Sequence, residues 1–162
     1  MAIQNELLKN LQFEYGEVAY RKKDTLFTYD ISFDYTVAPS LLTIKYDSDS
    51  SKISIVMSYA EDFFALAKND LKKTNQILKY LDFFHSEPTV SIENGNMLLS
   101  HSYSFEPETF DYKIFSKRVT TIEKMTHEVN YMLSTKDLKI EDYQDTIHGG
   151  GIFEWITPDY TD

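Results

Sequence analysis

The sequence predicts an α+β domain: an antiparallel sheet of about five strands in the order α-β-β-β-α-β-β-α, with helices packed on the sheet. Three observations carry this reading. In "LFTYDISFDYTV", residues 26–37, Phe27, Tyr29, Ile31, Phe33, Tyr35 and Val37 alternate with Thr28, Asp30, Ser32, Asp34 and Thr36. A period of two places one set on a packed face and the other in water. In "TVSIENGNMLLSHSYSF", residues 89–105, Asn94-Gly95 offers the two-residue turn that accepts positive φ at both positions of a hairpin. From about 109 to 134, Phe115, Val119, Ile122, Met125, Val129 and Met132 recur every three or four residues, the spacing of a helix with one apolar face.

The other elements follow in chain order. Ile3, Leu7, Leu8 and Leu11 share a face of a short helix over about 3–13. The stretch "EYGEVAYRKKD" reads as a charged loop before the first strand, and Pro39 interrupts after it. "LLTIKYD" alternates at Leu42, Ile44 and Tyr46, and "KISIVMSY" at Ile53, Ile55, Met57 and Tyr59. "DSDSS", residues 47–51, is turn chemistry between them. The three strands make a meander. A helix over 70–84 carries Leu71, Ile77, Leu78, Leu81 and Phe84, with Pro88 just past its end. Residues 1–134 thus read as the domain, and 135–162 as an acidic C-terminal tail. The tail holds seven acidic residues against two lysines, and an apolar cluster of Ile152, Phe153, Trp155 and Ile156 beyond a glycine run.

Composition bounds the function. The chain has 162 residues, 42% of them hydrophobic, with 12 Tyr and 11 Phe, enough apolar surface for a core. Its formal charge of -10 repels nucleic-acid phosphates and anionic membranes, so neither is an expected partner. With no cysteine, disulfides, thiol catalysis and cysteine-ligated metals are excluded. The N-terminus has no apolar signal-peptide core and no window has the length of a membrane span, so a cytoplasmic location is expected.

Candidate chemistry is sparse. "HGGG", residues 148–151, is the type of loop that helps build the oxyanion hole of some lipases, but no Gly-x-Ser-x-Gly nucleophile elbow accompanies it. Asp47-x-Asp49-x-Ser51 imitates the start of an EF-hand, yet Lys52 stands where that loop needs Gly and Ser58 where it needs Glu. The histidines are 85, 101, 127 and 148; Glu123 and His127 at i,i+4 make at most half a metal site. Arg21, Lys22 and Lys23 form the only basic cluster. No catalytic residue, metal or cofactor is expected.

The order "NELLKNL", "LFTYDISFDYTV" to "KISIVMSY", "LKKTNQILKYLDFF", "TVSIENGNMLLSHSYSF", then "TFDYKIF" to "VNYML" resembles the type III secretion chaperone-like fold. YbjN-like proteins and class I secretion chaperones share it. The resemblance covers about residues 3–134 and is one of order and length, without a diagnostic motif. It implies a non-catalytic protein-binding module, chaperone-like or regulatory, working as a homodimer. The alternative is an acidic inhibitor or immunity protein neutralising a basic partner, which an acidic patch would favour. In the meander the strand from Phe27 to Tyr35 is expected at an edge of the sheet, where an extended peptide can add. Tyr29, Phe33 and Tyr35 are therefore the expected partner-binding residues, with Trp155 as the apolar anchor of the tail.

Overall fold

The computed structural model describes residues 2–34 and 38–135. It is α+β, with a six-stranded antiparallel sheet and helices packed on it. Helix α1 spans Ile3–Tyr15 and strands β1 to β4 are Ala19–Lys23, Leu26–Phe33, Ser40–Asp47 and Lys52–Tyr59. A single-turn helix α2, Phe63–Leu66, precedes α3, Leu71–Phe84. Strands β5, Thr89–Glu93, and β6, Asn96–Ser104, make a hairpin. The long α4 spans Tyr112–Ser134 after a 3-10 turn at Pro107–Thr109. Across the sheet the order is β1-β2-β3-β4-β6-β5.

The predicted meander gains a strand. Ala19–Lys23 pairs with β2 from Ala19↔Asp30 to Lys23↔Leu26, so the expected loop is the sheet's outer strand. Its five residues are all exposed, so no buried alternation marks it. Asp24 at φ 56 turns the chain back into β2. The correction has a consequence for function: β2 lies between β1 and β3 and is not an edge strand.

Local chemistry explains the ends of the elements. At the β5–β6 turn Asn94 and Gly95 have φ 52 and 85, the positive pair that a two-residue hairpin needs. The Gly95 carbonyl accepts from Phe63 N at 2.7 Å, and a Cβ on Gly95 would collide with the Asp62 carboxylate. Glycine therefore gives the hairpin tip both its positive φ and its close approach to Asp62. Asp62, Asp70 and Asp111 cap α2, α3 and α4, accepting from Ala65 N, Lys73 N and Lys113 N at 3.0, 3.0 and 2.9 Å. At the far end of α4, Lys73 Nζ donates to the Leu133 and Thr135 carbonyls at 2.9 and 2.7 Å. A cation there satisfies carbonyls that have no partner within the helix.

The core lies between the helices and one face of the sheet. Cross-strand rows Tyr29–Ile44–Ile55 and Ile31–Leu42–Met57–Leu99 supply the sheet side. Leu7 and Leu11 of α1, Ile77 and Leu81 of α3, and the whole predicted stripe of α4 close it. Leu71, expected on the buried stripe of α3, instead stands exposed in its first turn. Asp47 ends β3 and holds the turn that follows: its Oδ1 accepts from Asp49 N and Thr25 Oγ1, both at 3.0 Å.

Candidate partner-binding surface

Of the four expected recognition residues, two, Tyr29 and Phe33, are among the described residues. Tyr29 is fully buried beneath α1, where its Oη donates to the Gln4 carbonyl at 2.7 Å. Its ring meets Tyr20 of β1 at 5.2 Å. A partner cannot reach it, because β1 covers the flank that was expected to be an edge. Phe33 is half-buried at the end of β2, edge-to-face with Tyr15 at 5.8 Å. Tyr35 and Trp155 lie outside the described residues, as do "HGGG" and the tail.

What the strands present instead is the opposite face. Pairing aligns three rows there: Arg21–Thr28–Lys45–Ser54–Ser102, Ala19–Asp30–Thr43–Val56–Ser100–Thr89, and Ser32–Leu41–Ser58–Leu98–Ser91. Among the described residues, Thr28 alone of these is buried, and none belongs to the hydrophobic core. Serine and threonine dominate the rows, so the backbone lies close beneath a flat surface. Leu41, Val56 and Leu98 are diagonal neighbours toward one end and make its apolar centre. Polar groups pair within the face: Thr43 Oγ1 donates to Asp30 Oδ1 at 2.7 Å, Arg21 bridges to the same carboxylate, and Ser54 and Ser102 hydroxyls meet at 3.0 Å. At the apolar end, a cavity of about 520 Å³ opens among Ser32, Phe33, Pro39, Leu41, Ser58 and Asn96. Of the two described recognition residues, Phe33 borders this surface. The signal was present in the alternation itself, in its polar half.

The α1–α4 seam gathers the acidic groups. Tyr15 hydrogen-bonds Glu123, and Tyr112 Oη donates to Glu14 Oε1 at 3.1 Å. Burial, then the neighbouring carboxylates, hold both phenols well above the usual tyrosine range. Burial also raises the Glu123 carboxyl, against the lowering effect of the Tyr15 hydrogen bond. Folding thus favours the protonated acid. The stability it contributes is complete below the unfolded carboxyl range and is lost as pH rises through the higher folded value. Glu123→Gln stays neutral throughout, so it is expected to be more stable than the parent at pH 7 and nearly equal to it at pH 4. Urea unfolding at the two pH values checks this; equal stability at pH 7 contradicts it. Burial lowers the His127 imidazole. No three His, Asp or Glu side chains converge as a metal site among the described residues.

Compared with known proteins, the chain matches no family model, no curated protein and no solved structure. Among the described residues no helix is long and apolar enough to cross a membrane.

Proposed function

We propose that this chain is a non-catalytic, cytoplasmic protein-binding module, chaperone-like or regulatory, that recognises its partner through the open face of its sheet. One observation carries the reading: the described helices pack on a single face, leaving three cross-strand rows with an apolar centre at Leu41, Val56 and Leu98. Antiparallel sheets commonly keep one wet face. This one differs from a simply solvated face in placing its three aliphatic residues together beside the Phe33 cavity. Phe13 on α1, 90% exposed, and Leu71 and Phe83 on α3 are apolar positions for self-association as a homodimer. The resemblance to the type III secretion chaperone-like fold belongs to the same proposal. A second reading, an acidic inhibitor of a basic partner, is favoured by Glu6, Glu14 and Glu123, whose charges all bear on Tyr112.

The test is a paired pull-down from native cells with the parent and with Leu41→Glu/Leu98→Glu. Both positions carry side chains outside the core, so the variant is expected to melt within a few degrees of the parent. Its partner, identified by mass spectrometry, is expected to disappear. A partner retained by the folded variant but lost from Glu6→Lys/Glu14→Lys selects the inhibitor reading instead.

A further inference from the structure

On the helix-covered side of the molecule, remote from the open face, α4 presents Ile114, Lys117, Arg118 and Thr121 at i, i+3, i+4 and i+7. With His101 of β6 and Glu87-Pro88 of the α3–β5 connection, they line a cavity of about 210 Å³. That is room for roughly seven water volumes, or for a head group with a short branched tail.

Arg118 is the side chain to explain. Its guanidinium lies over the Tyr103 ring, 4.3 Å from the centroid, and Nη1 donates to His101 Nε2. An arginine can only donate, so Nε2 is the acceptor nitrogen of that ring. The ring below and the imidazole beside it fix the plane of the guanidinium. Few of its donors are used. Among the described residues, Nε is buried without a partner, and the one carboxylate in ion-pair range, Glu87, stands at 3.7 Å on a side chain 74% exposed. A contact so long and so solvated contributes little. Lys117 adds a second positive charge at the rim. Two cations against Glu87 leave the site net positive on a chain of formal charge -10.

A preorganised guanidinium at the wall of a small cavity is the arrangement that takes a carboxylate through two parallel hydrogen bonds. Ile114, half exposed, and Pro88 form an apolar wall beside it, which suits an aliphatic tail. We propose that this cavity binds an aliphatic carboxylate, held by Arg118 and Lys117, with Glu87 as the carboxylate it displaces. The group is that of a small free acid or of a peptide's C-terminus.

Arg21 and Arg118 are the only arginines, so an Nε–H NMR spectrum carries two signals. Isobutyrate is titrated at constant ionic strength, with isobutyramide as the neutral control. A parallel arm uses a short peptide ending in valine, as free acid and as amide. The expected result is a saturable shift of the Arg118 signal by the acid and not the amide, with half-saturation at about 10 mM or below and Arg21 unmoved. Saturation by isobutyrate alone assigns a free acid; tighter binding of the peptide acid assigns a chain terminus. Glu87→Gln, an exposed change, is expected to bind several-fold tighter by the same signal, and folded Arg118→Lys, followed by the backbone amide signals of residues lining the cavity, about tenfold weaker. A linear shift in both arms, an equal response to the amides, or unchanged affinity in Glu87→Gln overturns the proposal.

Discussion

Replacing His85 by alanine is expected to destabilise the protein by about 3–5 kcal/mol, the usual cost of leaving one partner of a buried pair alone. His85 caps the C-terminus of α3, and its Nε2 lies 2.8 Å from Oε1 of Glu128 on α4. The Glu128 side chain is fully buried, and its Oε2 has no hydrogen-bond partner. Among the described residues the imidazole is therefore the one side chain hydrogen-bonded to a carboxylate set in the packed face of α4. Removing it strands that carboxylate where water does not reach. At this chain length the loss corresponds to a fall of about 10 °C in melting temperature. Removing both polar groups is a different experiment. His85→Leu/Glu128→Met leaves no uncompensated group and conserves much of the volume, so it is expected to recover most of the stability. Thermal and urea unfolding of the two variants measure the contrast. A loss below about 1 kcal/mol in His85→Ala, or a double variant as unstable as the single, contradicts this account.

This pair was not legible in the sequence, for a physical reason. Glu128 sits three residues from Met125 and beside Val129, so the helical period places it at the edge of the buried stripe, where a carboxylate is ordinarily read as wet. Only the arrival of His85 from a different helix, 43 residues earlier, makes that position tenable. Period-based reading succeeds where burial follows from one element alone. Phe27, Tyr29 and Ile31 of β2, the alternation of β3 and β4, and the stripe of α4 reappear in the core, with Phe33 partly buried against it. It fails where a neighbour decides. β1 has no apolar side to announce it and exists because β2 offers a free edge. Leu71 has the right spacing but lies in the first turn of α3 and stays in water. The candidate surface shows the same division. The rows of the open face follow from the alternation once the pairing is known, whereas Arg118, His101 and Tyr103 become neighbours only through the docking of α4 on β6.

Tyr29→Ala is expected to cost about 3–5 kcal/mol and to leave partner binding by the folded fraction unchanged. The ring is fully buried, flanked by Ile44 across the strand pair and by Tyr20 on the other side. Truncation removes a large apolar side chain from a layer that α1 closes, and neither the sheet nor the helix can collapse into the space without breaking its own hydrogen bonds. Tyr29→Phe separates the ring from the hydroxyl. It keeps the volume and loses only the donation to Gln4, so about 1 kcal/mol is expected. Leu41→Ala, on the open face, gives the complementary pattern: a small stability change and a large loss of partner affinity. The three variants, each measured for melting temperature and for affinity to the partner recovered by pull-down, divide core from surface. A Tyr29→Ala protein that melts with the parent and binds weakly would return recognition to the aromatic side of β2. A Leu41→Ala protein that binds as the parent does would remove it from the open face.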